Sequence, residues 1–167
     1  MYSCDIKFFF TIESMYGFSL ISFQSLDLIC REKKVDYVMP VHLYGHVVDP
    51  YKLSEITNKY GLRVIEDCAE ALGSYFGKKR LGEYGECATF SFFGNKTITT
   101  GAGGIFFSND EKLVTKVKHL SSTAKCSSKY DHDEIGYNYR MANLNAALGY
   151  AQFRRFKKIL VKKKKVF

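Results

Sequence analysis

The sequence predicts an α/β fold in which helices flank a mixed sheet. Three observations predict it: a strand, helix and strand in succession over residues 37–66, a short connection between two later strand-like runs, and helical apolar spacing in the last third. The chain has 167 residues, of which 46% are hydrophobic and 25% charged. A chain of this length and composition can bury a sizeable core.

The first unit of the pattern is a strand, a helix and a second strand. Residues 37–41 predict a short buried strand, which Pro40 places at a sheet edge or near a strand end. Asp49 is a helix cap and Gly61 is a helix stop, with apolar residues on one face between them. Residues 62–66 return to a strand pattern, so we expect a parallel pair with a right-handed crossover.

The second half of the chain contains a glycine-rich loop, two strands and two helices. Residues 73–86 predict the loop, and strands follow at 87–92 and 105–107. The connection between those strands is too short for a crossover helix, so they should be antiparallel. Asn109 or Asp110 caps the next helix. We expect a structured loop at residues 121–140 and a final helix at residues 143–160. Residues 1–34 show no legible motif.

The cysteines and the apolar segments exclude several classes of protein. The five cysteines are scattered and form no C-x-x-C pair, so neither a disulfide framework nor a zinc site is indicated, and we expect no metal. No apolar segment approaches the roughly 20 residues that span a bilayer. We see no signal peptide, and we expect a soluble, cytoplasmic protein.

The net charge of +8 comes from the end of the chain. Residues 154–165 contain eight cations, no acid follows residue 150, and the preceding residues are balanced. Cations suit the C-terminal end of a helix, so a solvated helical tail is the preferred interpretation. Binding of nucleic acid or another anionic surface through this tail is the alternative.

Lys96 and Asp67 are the residues best suited to chemistry. Lys96 lies in a Gly/Thr loop between two strand-like runs, where its neutral amine could form an imine with an aldehyde. Asp67 ends a predicted strand, where a carboxylate could keep a pyridine nitrogen protonated. This pair suits pyridoxal phosphate (PLP).

Each of these residues also has a simpler interpretation. Lys96 could be a surface lysine, and Asp67 could be a turn or cap residue. Ser91 could bind a phosphate oxygen or only its local backbone.

Four motifs lie in order along the chain, at residues 40–45, 64–70, 91–104 and 136–141. Together they resemble the DegT-type family of PLP-dependent sugar aminotransferases, and the similarity extends from about residue 36 to residue 153. Within that family, residues 94–96, 121–125 and 143–147 are most like aminotransferases of the legionaminic-acid and bacillosamine type.

The resemblance implies part of the large domain of the aspartate-aminotransferase-like fold, fold type I. On this interpretation residues 1–35 are a poorly matched N-terminal segment, residues 36–153 are a partial PLP-binding large domain and residues 154–167 are a basic helical tail. The family's N-terminal part and its C-terminal small domain are then absent.

The resemblance also implies roles for the site residues. Lys96 would attach the cofactor, Asp67 would pair with the pyridine nitrogen and Ser91 would bind the cofactor phosphate. Asn138 and Arg140 would reach the phosphate of a neighbouring subunit's cofactor in a homodimer.

The implied reaction transfers an amino group from glutamate to C4 of a nucleotide-linked 4-keto-6-deoxy sugar. Lys96 would also move the proton between the substrate carbon and the cofactor.

Glu70 matches a position near the cofactor's phenolic oxygen that is commonly glutamine or histidine. Relatives with histidine in place of the lysine are dehydrases, so the lysine favours transamination. The alternative is a truncated, inactive remnant, and we expect the isolated chain to be weakly active or inactive.

Overall fold

The computed structural model describes residues 8–12, 22–127 and 130–166. They belong to two compact units, Met1–Phe90 and Ser91–Phe167. The strands are β1 (Phe8–Ile12), β2 (Tyr37–Val41), β3 (Arg63–Asp67), β4 (Tyr75–Phe76), β5 (Lys79–Arg80), β6 (Cys87–Ser91) and β7 (Gly104–Ser108). The helices are α1 (Phe23–Glu32), α2 (Pro50–Tyr60), α3 (Glu111–Ser121), α4 (Asn143–Phe153) and α5 (Phe156–Lys164).

The first unit is built on parallel strands in the order β1-β2-β3-β6. The predicted parallel pair of β2 and β3 is confirmed, and β3 includes Asp67 as its last residue. Asp67 is in register with Val41 of β2 and with Thr89 of β6. The carboxyl ends of the three strands therefore lie at one edge of the sheet, which is where α/β sheets place their ligands.

Pro40 lies in an interior strand, so the expectation of a sheet edge is wrong. It precedes the last residue of β2 and is in register with Thr11 of β1. Proline removes one backbone donor, and a position next to the strand end makes that loss easiest to accommodate. The other half of the expectation, a place near a strand end, is confirmed.

Helix α2 begins and ends as its sequence predicts. Asp49 Oδ1 accepts hydrogen bonds from the backbone N–H groups of Tyr51 and Lys52. Gly61 closes the helix with a left-handed backbone at φ +67°. Both ends are set by local side-chain and backbone chemistry, so this helix is legible from the sequence alone.

Replacing Gly61 with alanine should lower the free energy of unfolding by about 1 kcal/mol. No described atom lies within 4 Å of an added Cβ, so the cost is backbone strain alone. Urea unfolding measures it. The control is Gly94→Ala, where a Cβ also meets open space but φ is not left-handed, and where we expect little change. Equal losses in the two variants would contradict the assignment of the cost to strain.

Two buried clusters form the core of the first unit. One brings α1 and α2 against the sheet through Leu26, Val38 and Leu53. The other contains Cys68 and Ala88. Helix α1 and strand β1 both lie in the N-terminal region expected to have no legible motif; residues 1–7 and 13–21 of that region lie outside the described residues.

The second unit contains β7, α3, α4 and α5. Asp110, one of the two predicted caps, accepts hydrogen bonds from the N–H groups of the first turn of α3. The single helix expected at 143–160 is wrong, because the chain leaves helical geometry at Arg155 and forms α4 and α5. The N–H of Arg155 bonds to the carbonyl of Gln152, a tight three-residue closure that ends α4.

The expected structured loop at 121–140 is confirmed for its described residues. Backbone hydrogen bonds join Thr123 to Tyr137 and Tyr139 to Ser121. Gly136 packs so closely on the backbone of Thr123 and Ala124 that a Cβ would clash. Helices in the described ranges are too short or too polar to cross a membrane.

Candidate functional site

The predicted site residues fall in both units. Asp67 and Glu70 belong to the first unit, and the other four belong to the second.

Asp67 lies at the carboxyl end of β3, half-buried. Its carbonyl accepts the N–H of His42, which fixes the backbone at this strand end. Its side-chain Oδ1 accepts the N–H of Ala69 at 3.0 Å. A carboxylate has a second oxygen, so Asp67 can make this turn and also present a negative charge to a ligand.

Glu70 is held by the loop that follows β2. Its Oε2 accepts the backbone N–H of Tyr44 at 3.1 Å. Tyr44 has a left-handed backbone at φ 52°, unusual for a residue with a side chain, and 90% of its surface is exposed. The carboxylate of Glu70 therefore ties a strained turn to the segment after Asp67.

Glu66, the residue before Asp67, organises the glycine-rich loop from inside the protein. It is 1% exposed. Its Oε1 accepts the N–H groups of Tyr84 and Gly85 at 2.8 Å, and its Oε2 accepts that of Gly82 at 3.1 Å. Burial alone would raise the pKa of this carboxyl, but His42 and the three backbone donors outweigh burial and lower it. The folded protein therefore keeps Glu66 ionised.

His42, Glu66 and Cys68 form a buried cluster whose polar atoms lie within 4.8 Å of one another. Nδ1 of His42 accepts the N–H of Val48, so the ring proton lies on Nε2, which is 3.4 Å from Glu66 Oε2. Burial and the Glu66 carboxylate raise the pKa of Cys68 far above its usual range, so these surroundings favour the thiol. His42 Nε2 and the Cys68 thiol would each have to lose a proton to ligate a metal.

In the second unit, Ser91 ends β6 and is bonded to its local backbone. Its Oγ accepts the N–H of Phe93 at 3.3 Å. This is the local backbone contact that the sequence left open as the alternative to a phosphate contact. This bond leaves the hydroxyl hydrogen able to donate elsewhere. A phosphate contact by Ser91 remains a prediction.

Lys96 is half-buried near the tip of a loop whose two ends are joined. Its own N–H bonds to the carbonyl of Phe93. At the base, the carbonyl of Phe92 accepts the Thr100 N–H at 2.9 Å and the Thr99 hydroxyl at 3.1 Å. The N–H of Phe92 bonds to the Gly103 carbonyl; the antiparallel direction of the flanking strands stays a prediction. The lysine is thus carried by a closed loop rather than a loose one.

Asn138 and Arg140 are exposed near the C-terminal end of the 121–140 loop. Asn138 pairs with Ser122 through an isolated antiparallel bridge. The rings of Tyr137 and Tyr139 stack with centroids 5.2 Å apart. Both predicted phosphate ligands are therefore accessible, next to a pair of stacked tyrosines.

Sequence reasoning missed two side chains that contact the lysine loop. Gln152 of α4 bonds to both backbone groups of Thr99, and Asn145 bonds to the carbonyl of Thr100. The available signal was their spacing of seven residues with Gly149 between them, which places all three on one face of a helix.

Comparison with known proteins gives consistent results. The DegT/DnrJ/EryC1/StrS aminotransferase family matches residues 27–167. GDP-perosamine synthase of Vibrio cholerae is 45% identical over 135 residues, covering 80% of this chain and 37% of that protein. The UDP-4-amino-4,6-dideoxy-N-acetyl-beta-L-altrosamine transaminase of Campylobacter jejuni is 31% identical over 142 residues, covering 83% of this chain and 38% of that protein.

The fold is shared with solved structures. Helicobacter pylori PseC, an aminotransferase involved in the biosynthesis of pseudoaminic acid, superposes with a TM-score of 0.75 at 27% identity, covering 82% of this chain and 38% of that one. The predicted α/β class and fold type I are confirmed. The chain spans well under half the length of each of these proteins. The match over residues 27–167 shows that the chain belongs to the DegT/DnrJ/EryC1/StrS aminotransferase family.

Proposed function

We propose that this chain carries the cofactor-binding part of a PLP-dependent aminotransferase that acts on a nucleotide-linked sugar. One observation carries the proposal: a chain of this family presents a half-buried lysine on a loop closed at both ends. A lysine held in this way is suited to covalent attachment of an aldehyde cofactor.

The described side chains fit pyridoxal phosphate by their chemistry. Lys96 supplies an amine. Asp67 supplies a carboxylate at a strand end, and only its Oδ1 is used by the N–H of Ala69 in the local turn. Ser91 supplies a hydroxyl donor for the phosphate. We assign Glu70 to the neighbourhood of the phenolic oxygen, held there by its bond to Tyr44.

The bound cofactor would supply an electron sink for negative charge at the substrate carbon. The chain's own residues do the rest. Asp67 keeps the pyridine nitrogen protonated, because an opposite charge nearby favours the protonated form. Lys96 Nζ moves the proton to and from the substrate carbon, a role that needs an amine on a positioned backbone.

We further propose a homodimer in which Asn138 and Arg140 bind the phosphate at the partner's site. The exposure of both side chains supports this. Helix α4 also exposes apolar side chains, including Leu144 at 83% and Phe153 at 61%. Exposed apolar groups in such number are typical of a surface that a protein partner covers.

For the substrates we propose glutamate as amino donor and a 4-keto-6-deoxy sugar on a nucleotide carrier, in a cytoplasmic pathway to a surface polysaccharide or glycan. The relatives' names support this, since they include a synthase of a GDP-linked sugar and a transaminase of a UDP-linked 4-amino-4,6-dideoxy sugar. Residues 36–153 would form the part of the large domain that binds the cofactor.

Borohydride reduction tests the attachment site. The chain is mixed with pyridoxal phosphate, its visible absorbance is recorded, and it is reduced, digested and analysed by mass spectrometry. We expect one pyridoxyl group, on Lys96, and its loss in Lys96→Arg. The matched control is Lys78→Arg in the glycine-rich loop, which should keep the label on Lys96. Label spread over many lysines, or none, would contradict the proposal.

A further inference from the structure

Helix α4 holds the lysine loop through one polar face. Asn145, Gly149 and Gln152 lie at positions i, i+4 and i+7, so they share one side of the helix. That side faces Thr99 and Thr100, the residues that return the loop to its base. The other residues of α4 are largely apolar and exposed.

The side-chain amide of Gln152 bonds to both backbone hydrogen-bonding groups of Thr99. Oε1 of Gln152 accepts the Thr99 N–H at 3.1 Å, and its Nε2 donates to the Thr99 carbonyl. Asn145 Nδ2 donates to the carbonyl of Thr100. The two amides therefore satisfy three backbone groups of a loop segment that would otherwise have to find other partners.

Gly149 allows this close approach. A Cβ at Gly149 would lie 2.5 Å from Cγ2 of Thr100, so a larger residue would push the helix off the loop. Thr100 is 2% exposed and Ile98 is 3% exposed, so this side of the loop is packed as well as hydrogen-bonded. By contrast, Gly94 and Asn95 at the tip are exposed.

We propose that Gln152 and Asn145 are positioning residues that keep Lys96 in its reactive geometry, an inference that rests on the proposed function. Lys96 is three residues from Thr99 in a loop that its backbone hydrogen bonds close, so a shift of the Thr99 backbone also moves the backbone that carries the lysine. Misplacement of a reacting group by about 1 Å can cost about a hundredfold in rate. Both amides bond to the loop backbone at Thr99 and Thr100, so their effect on the lysine acts through that backbone.

The first experiment tests the contact without any cofactor. Hydrogen exchange of peptides covering residues 97–101 is compared between the wild type and Gln152→Ala. We expect exchange about fivefold to tenfold faster in the variant, the effect of losing bonds of ordinary strength. The matched control is Gln24→Ala, which removes the other glutamine of the chain, exposed in α1. Unchanged exchange at residues 97–101 would overturn the proposal.

The second experiment tests the chemistry. The rate at which borohydride-stable label appears on Lys96 is measured over a range of pyridoxal phosphate concentrations and pH values. We expect the limiting rate in Gln152→Ala to fall about tenfold to a hundredfold, with Gln24→Ala unchanged. Asn145→Ala should show a smaller loss, because it removes one bond rather than two.

The outcomes separate the two proposals. No label on Lys96 in the wild type would overturn the proposed function and the positioning role together, even with the faster hydrogen exchange. Normal labelling and an unshifted pH profile in Gln152→Ala would overturn the positioning role alone. If Gln152→Ala does not fold, Gln152→Glu decides, since it keeps the acceptor for Thr99 N–H and loses only the donor.

Discussion

Replacing Glu66 with alanine is expected to lower the free energy of unfolding by about 3–5 kcal/mol. The substitution removes the shared acceptor of three backbone N–H groups, from Gly82, Tyr84 and Gly85. It also leaves a cavity beside the imidazole of His42, which is 3% exposed. Buried donors without acceptors and lost packing both destabilise the folded state.

Urea unfolding at neutral pH measures this loss. The matched control is Glu86→Ala, in the same loop, because Glu86 pairs with Arg63 through side chains that are 39% and 54% exposed. An exposed pair contributes at most about 1 kcal/mol. Equal losses in the two variants would show that Glu66 is not the acceptor on which the loop depends.

Glu66 also predicts a dependence of stability on pH. Its pKa is lowered from the usual 4.5 in the folded state, so its contribution is present above that value and is lost as the pH falls through the folded pKa. Hydrogen bonds from Lys59 and Tyr60 lower the pKa of Asp27 to about 2, which adds a second acid-sensitive contribution. Glu66→Gln should make the loss of stability below pH 4.5 shallower, while Asp27 still contributes.

Replacing Asp67 with asparagine is expected to weaken pyridoxal phosphate binding about tenfold to a thousandfold. A carboxylate close to the pyridine nitrogen raises its pKa by about 1–3 units, and each unit corresponds to a tenfold difference in affinity for the protonated ring. Asparagine keeps the Oδ1 acceptor that Ala69 uses, so the turn is preserved and only the charge is lost.

Titration of the cofactor's visible absorbance gives the affinity of each variant. The control is Asp49→Asn, which changes the same charge at the cap of α2, where asparagine is also a good cap. The wild type and Asp49→Asn should bind alike. Equal binding by Asp67→Asn would contradict the assignment of Asp67 to the pyridine nitrogen.

The sequence predicted best what local chemistry decides. Helix α2 is bounded by Asp49 and Gly61, and both signals act within one turn of the helix end. Helix α1 has the same kind of signal, since Ser22 Oγ accepts the N–H of Ser25, yet the surrounding aromatic residues obscured it. The break between α4 and α5 carries neither glycine nor proline, so no residue type announces it.

Long-range contacts account for what the sequence could not show in the candidate site. Gln152 and Thr99 are 53 residues apart, and only the folded chain brings the amide to the loop. Glu66 lies within a recognised motif, but its backbone partners are 16 to 19 residues away in a loop that looked merely glycine-rich. Lys96 and Asp67 could be predicted from the sequence because an amine and a carboxylate are the groups that the proposed chemistry needs.

The pleat of β3 has a consequence for how this strand can change over evolutionary time. Successive side chains of a strand point to opposite faces, so Glu66 is directed inward to the loop while Asp67 ends the strand beside its own turn. Inserting or deleting a single codon before Glu66 in β3 would turn each acid to the opposite face, so Glu66 would no longer be directed at the backbone donors of the loop. The length of this strand is therefore constrained.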